Sequence, residues 1–417
     1  MRNTSAFALA LSFCTALSAN ARALGCDEIP NVNGSGSKPP VVYVEGANAV
    51  GPLIAPLQQV LSTDPNPITV VYIGDGGCLG ADNFFNNRPI PAKPKPVYYA
   101  GQVQATCDLP AAGKVADLAT SDVYGDGCGT LPGGQLPSNI GDFLGPVQPM
   151  TFVVPKASTQ LAISQAAAYF VFGFGDGSGV APWTVNSSIY RRNTASAVQA
   201  FLALGIGVPI DRWAGIDAAT LPANVNAGLT GAAAVINALE LDPNPEQAIG
   251  ILANTNVDAA VATHLRILAY KDQDQSCAYY PDSTPTAHDK ANVRDGHYTL
   301  WGPVHFFTYV DERGVARDPN VGRLLSYILG TAIAPGGIDM VEVDAKNNLV
   351  PPCAMRVTRS VEMGPLSSYA PPGSCGCYYD YVATGASSCQ RCAQRGDCPA
   401  SAPVCNLSHA VGFCETQ

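Results

Sequence analysis

Arg192 stands four residues ahead of Ser196, and the run Ala197-Val198-Gln199-Ala200-Phe201-Leu202-Ala203-Leu204 behind it has the composition of a helix. That spacing puts a guanidinium beside a helix start. A helix N-terminus offers backbone N–H groups without intrahelical partners and a partial positive charge, and an arginine adds a planar fork matched to two oxygens of a carboxylate, phosphate or sulfate. The chemistry expected there is anion capture. Ser196 or Thr194 can serve as N-cap and Gly205 as the stop. An ordinary capped helix with two surface arginines, Arg191 and Arg192, has the same text.

Other chemistry is sparse. The chain has no Gly-x-Ser-x-Gly elbow, no His-Glu-x-x-His and no phosphate loop with lysine. Its histidines, His264, His288, His297, His305 and His409, lack metal-ligand spacing, and His297 and His305 lie in aromatic, strand-like text where packing is the expected role. The Gly-Asp-Gly triplets around Asp75, Asp126 and Asp176 each bring one carboxylate, which suits turns better than calcium loops. No cofactor and no metal are expected, and the chain does not read as an enzyme.

The elements that must hold Arg192 in place can be read outward from it. Val41-Val42-Tyr43-Val44 reads as a buried strand, followed by the small-residue turn Gly46 to Pro52 and by Leu53, Ile54, Leu57, Val60 and Leu61 at helical spacing. Ile68 to Ile73 closes a βαβ unit and runs into Gly74-Asp75-Gly76-Gly77-Cys78. Asp117 to Asp122 is a short apolar strand ending in Ser121-Asp122, and a Gly/Pro-rich connection from Gly125 to Pro146 leads to the strand Met150 to Pro155. Helices are expected at Ser164–Phe172, Ala195–Leu204, Ala232–Leu239 and Val321–Leu329, and strands at Ala248–Leu252 and Tyr298–Val310.

With 47% hydrophobic and only 13% charged residues, the 417-residue chain can bury a substantial core. Its formal charge of −10 argues against a nucleic-acid partner. Residues 1–23 read as a secretory signal: Arg2, the apolar run Ala6 to Leu17, and Ala21-Arg22-Ala23 as cleavage site. No later segment is long and uncharged enough to span a membrane. Removing the leader takes Cys14 and leaves thirteen of fourteen cysteines, a count that points to disulfides in an oxidising compartment. Thirteen is odd, so one thiol is free or bridged to another chain, or Cys26 carries a lipid; Ala23-Leu24-Gly25-Cys26 lacks the large aliphatic residue usual three positions before a lipidated cysteine. Past Pro371 seven cysteines crowd together, and Cys389-x-x-Cys392 among them reads as structural rather than redox-active or zinc-binding.

Three strand-terminal turns, Gly46–Pro52, Gly74–Gly80 and Thr120–Asp122, precede Arg192 in that order. In an open α/β sheet such turns lie at the carboxyl ends of strands, where ligands bind. The series resembles the periplasmic phosphate-binding proteins that serve ABC importers. Gly46-Ala47-Asn48-Ala49-Val50-Gly51-Pro52 is similar to the family's Gly-Ala-Gly-Ala-Thr-Phe-Pro, and Tyr72-Ile73-Gly74-Asp75-Gly76-Gly77 to its Tyr-x-Gly-x-Gly-Ser. Ala119-Thr120-Ser121-Asp122 stands for Ala-Ser-Asp, and Arg192 to Gln199 for Arg-x-x-x-Ser-Gly-Thr-Gln.

The resemblance implies an α/β, two-lobed type II periplasmic-binding-protein fold with a small disulfide-rich C-terminal module. Its expected parts are a signal peptide at 1–23, a linker at 24–39, lobe 1 from 40–148 and 290–365, lobe 2 from 149–289, and a tail at 372–417. The implied ligand set is Ala49, Val50, Gly51, Gly76, Gly77, Ser121, Asp122, Arg192, Ser196, Ala197 and Val198. Within it Arg192 is the bidentate partner, Ser196 a hydroxyl donor, and Asp122 the acceptor for an acidic proton, which favours hydrogen phosphate over sulfate. Family hydroxyls fall here on Val50, on Gly77 or Cys78, and on Val198, so those donors are lost. The implied function is an exported protein that captures an oxyanion, most of all phosphate, for an ABC permease. Two alternatives remain: a secreted or surface adhesive protein reusing the scaffold with a decayed site, its tail contacting envelope or extracellular partners, and a secreted hydrolase, for which no nucleophile and base can be paired.

Overall fold

The computed structural model describes residues 24–34, 36–129, 131–257 and 263–416. The leader at 1–23 lies outside them. Thirteen strands build the body: β1 Val41–Gly46, β2 Thr69–Gly74, β3 Val97–Ala100, β4 Val103–Thr106, β5 Leu118–Ser121, β6 Ile140–Pro155, β7 Ala162–Ser164, β8 Ile189–Arg191, β9 Ile216–Asp217, β10 Ile249–Ala253, β11 Leu265–Ile267, β12 Ala269–Lys271 and β13 Trp301–Tyr309. Their main sheet runs β4-β3-β2-β1-β5-β13-β6-β10-β8-β9, with β11 also on β6, while β7 and β12 form a separate parallel pair.

β1 pairs in parallel with both β2 and β5, as a βαβ crossover requires. Helix α1, Gly51–Thr63, makes that crossover and buries Leu53, Ile54, Leu57 and Leu61 against Val42 and Val44. Helix α2, Gly77–Phe85, covers the other face with Ala81, Phe84 and Phe85 beside Tyr43, Val71 and Ile73. Alternation along the strands therefore feeds two cores, one on each face.

β6 is longer than the sequence reading. The Gly/Pro-rich text ahead of Met150 belongs to one sixteen-residue strand, whose first part, to Pro149, pairs with β13 while Met150–Val153 pairs with β10. A register shift between Pro303 and His305 accommodates the prolines and glycines that argued against a central strand. β6 and β13 thus pass from one lobe to the other, and Tyr298 donates its hydroxyl to Met150 O at 2.6 Å at the passage. In the second lobe helix α3, Gln165–Phe174, helix α4, Ala197–Ile206, and the helix Gly231–Leu241 pack on the sheet. The arrangement is α/β in two lobes. No helix of the described residues is long and apolar enough to cross a membrane.

Six disulfides, Cys26–Cys107, Cys78–Cys128, Cys353–Cys375, Cys377–Cys389, Cys392–Cys405 and Cys398–Cys414, use twelve cysteines and leave Cys277 free and exposed. Cys26 is fully buried in its bridge, so its sulfur is not open to a lipid, and Cys277 is the odd thiol. Cys389 and Cys392 pair with different partners, which rules out a redox couple between them. The tail also differs from a free appendage. Cys375 ties it to Cys353 of the body, and Tyr378, Tyr379 and Phe413 join the core that holds Val341 and Ala345.

Candidate functional site

α4 begins two residues after the expected Ala195, behind Ser196, the later of the two candidate caps. Ser196 is its N-cap, with extended backbone and a hydroxyl accepting from Gln199 N–H at 3.4 Å, which leaves the hydroxyl proton free to donate. Gly205 does not end the helix; it lies in the last turn, and Gly207, at φ +75°, closes it with its N–H on Ala203 O. α2 begins after Gly76, whose φ of +124° belongs to glycine, directly at the carboxyl end of β2. The turn Asn48–Val50 leads from β1 into α1, and Thr230 leads into the helix Gly231–Leu241.

The starts of α2, α4 and the helix Gly231–Leu241, together with the turn before α1, border one small cleft, part of it open to solvent. Asn48 and Ala49 line it from the turn before α1, Gly76 and Gly77 from the start of α2, Ser196, Ala197 and Val198 from α4, and Ala232 from the helix Gly231–Leu241; Asp122, Arg192 and Asn256 complete it. The first-turn residues of those three helices thus bring positive macrodipole ends to the cleft. Val50, Gly51 and Ser121, expected as ligands, do not line it. Val50 is buried in the lobe core with its N–H on Ala47 O, Gly51 sits beneath the Tyr72 ring, and the Ser121 hydroxyl accepts from Val123 N–H at 3.2 Å. Cys78 is held in its bridge to Cys128. Asn48, Ala232 and Asn256 were missed; their only signal was a place after a strand or at a helix start.

The charges in the cleft are poorly matched by the protein itself. Among the described residues the Arg192 guanidinium has no ion-pair partner, and burial lowers its pKa against the pull of Asp122 and Asp217. Asp122 is 3% exposed, and its Oδ1 has no hydrogen-bond partner among the described residues. Burial lifts its carboxyl to about 6, with Arg192, His305 and Gln148 pulling it back. An unpartnered buried carboxylate oxygen is expensive unless something fills the gap.

Behind α2 lies a second acidic pair that the sequence did not disclose. Glu45, fully buried at the end of β1, accepts from Asn83 Nδ2 at 2.7 Å, while its second oxygen and both oxygens of Asp75 lack donors. Burial and the Asp75 charge push Glu45 up to about 9, and burial pushes Asp75 to about 6. Two full negative charges are therefore disfavoured there. Asp126 and Asp176 sit in short 3₁₀ turns, as expected of turn residues.

No family model matches the chain, and no curated protein is similar to it. Solved structures do match. A phosphate ABC transporter substrate-binding protein with bound phosphate from Clostridium perfringens is 13% identical with a TM-score of 0.48, over 75% of this chain and 99% of that one. An ABC-type phosphate transport receptor from Vibrio cholerae is 12% identical with a TM-score of 0.44, over 74% and 99%. PstS from Borrelia burgdorferi is 13% identical with a TM-score of 0.41, over 75% and 98%. The likeness is one of fold.

What the cleft binds must come from its own groups. It presents a cation, a hydroxyl donor, helix-terminal N–H groups, one carboxylate and the side-chain amides of Asn48 and Asn256. The buried histidine, His305, engages Asp142 through Nδ1 at 2.9 Å and packs on the Tyr124 ring, consistent with a packing role.

Proposed function

We infer that this protein captures a small oxyanion, hydrogen phosphate foremost, between its lobes and releases it chemically unchanged. The observation that carries the reading is the meeting of three helix N-termini and the unpaired Arg192 with a buried, unpartnered Asp122 oxygen. A fully deprotonated tetrahedral anion would face the Asp122 carboxylate with charge against charge. Hydrogen phosphate brings a proton that Asp122 Oδ1 can accept, so phosphate is favoured over sulfate. Arg192 takes two oxygens, Ser196 donates its hydroxyl, and backbone N–H groups near Gly77 and Ala197 stand in for the hydroxyls lost at residues 77 and 198. Delivery to an ABC permease after export fits such capture. The chain's disulfides fit export, since they form in an oxidising compartment.

Titration of the ligand-stripped mature protein with phosphate, sulfate and simple carboxylates tests the reading. Heat of binding with phosphate, and much weaker heat with sulfate, is expected. Silence with every anion would favour a scaffold with a decayed site, used for adhesion or interaction through other surfaces.

A further inference from the structure

The two lobes meet at a point where one of them has no side chain. Gly77 is the first residue of α2 and Ala197 the first of α4, and a Cβ built on Gly77 would lie 2.7 Å from the Ala197 Cβ. Carbon atoms pack at about 3.5–4.0 Å, so the present separation leaves no room for a second methyl. One residue away, a Cβ on Gly76 would lie 3.0 Å from Ala195 O. The loop before α4 thus presses on the loop before α2.

We propose that Gly77 and Ala197 are a matched steric pair that sets how closely the lobes can close, the methyl on α4 filling the space left by the missing side chain on α2. The proposal rests on reading the cleft as one that closes on an anion. The pair brings two positive helix ends together, an arrangement that repels itself until a negative charge lies between them. It also explains why no hydroxyl stands at residue 77: any Oγ would need a Cβ first. The family motif quoted above has Ser at the position of Gly77 and Gly at that of Ala197, the same exchange in reverse.

The consequence is a swap. Gly77→Ala must hold the lobes about 1 Å further apart to regain ordinary contact, enough to stretch hydrogen bonds that bridge the cleft beyond their working length. Some strain would remain within lobe 1, because the new Cβ also lies 3.2 Å from Ser121 Cα and 3.3 Å from Asp122 N. Ala197→Val enlarges the other partner and leaves α2 untouched.

A double-mutant cycle on the full mature protein tests the pair, using Gly77→Ala, Ala197→Gly and both together, with Ala197→Val as a separate check. It is read as phosphate Kd by calorimetry and as the thermal midpoint of the ligand-free protein. Gly77→Ala and Ala197→Val should each weaken phosphate about tenfold or more, the equivalent of losing one or two hydrogen bonds, and the swap should recover most of the Gly77→Ala loss. A swap no tighter than Gly77→Ala alone, or an Ala197→Val protein that binds like the parent, overturns the pair. If the parent takes up no phosphate, the functional reading fails separately, and the thermal midpoints decide: a swap above Gly77→Ala supports the pair, and additive midpoints overturn it.

Discussion

The cleft and the tail interface each bury an arginine and leave the two in opposite states. Where the tail docks, Arg294 forms an ion pair with Asp380, donates Nε to Ala354 O at 3.0 Å and Nη2 to Gly376 O at 3.2 Å, and lies over the Tyr379 ring. Tyr378 donates to Glu342 at 2.9 Å, His409 meets Asp339 at 2.8 Å and stacks on Tyr378, and Glu415 accepts from Ser374 and from Cys377 N–H. At the cleft, Arg192 has no ion-pair partner among the described residues and Asp122 keeps an oxygen unpartnered. A paired buried cation rigidifies the fold, whereas an unpaired one is costly unless a partner reaches it.

The largest effect should come from breaking the satisfied side. Arg294→Ala leaves Asp380 and two backbone carbonyls without their donor, and removing one partner of a buried pair costs about 3–5 kcal/mol. Denaturant unfolding should show that loss, with phosphate affinity in the folded protein unchanged. An effect below about 1 kcal/mol would erase the contrast from the tail side. Arg192→Ala should do the opposite: phosphate binding falls by about a hundredfold or more, since charged hydrogen bonds contribute about 1.5–3 kcal/mol each, while stability holds. A variant that loses stability and keeps binding would place Arg192 among the structural residues.

Asp122→Asn sharpens the comparison by separating stability from selectivity. The unfolded chain releases this proton at the ordinary carboxylate pKa and the folded one at about 6, so the parent loses stability as pH rises through that window. The variant should be flat there and gain up to about 3 kcal/mol at pH 7, while discriminating less against sulfate. A second pH dependence is expected at Glu45. Burial and the Asp75 charge hold its carboxyl above the ordinary carboxylate range, so parent stability should decline as pH rises above that range, and Glu45→Gln should flatten the slope. Identical slopes would mean that Glu45 ionises in the fold as it does in the unfolded chain.

Much of this was legible because local signals and tertiary structure agree. The strand–turn–helix text around Gly46, Gly74 and Ser196 became β1–α1, β2–α2 and the start of α4, and eight of the expected ligand residues line one cleft. β6 was hidden because Pro146, Pro149 and Gly145 suggest a loop; only its passage between two lobes explains a strand there. The Glu45–Asp75 pair was hidden because burial of a carboxylate at a strand end leaves no periodic signal. Disulfide partners and the docking of the tail depend on distances that spacing does not encode.

Arsenate is a tetrahedral oxyanion that, like phosphate, carries a proton near neutral pH, and its arsenic scatters anomalously. Diffraction at the arsenic edge from crystals grown with arsenate is therefore the most direct test of the central claim. One strong peak between α2 and α4, within hydrogen-bonding reach of Arg192, Ser196 and Asp122, is the result expected. An empty cleft, or a peak elsewhere with Arg192 and Asp122 untouched, would contradict it.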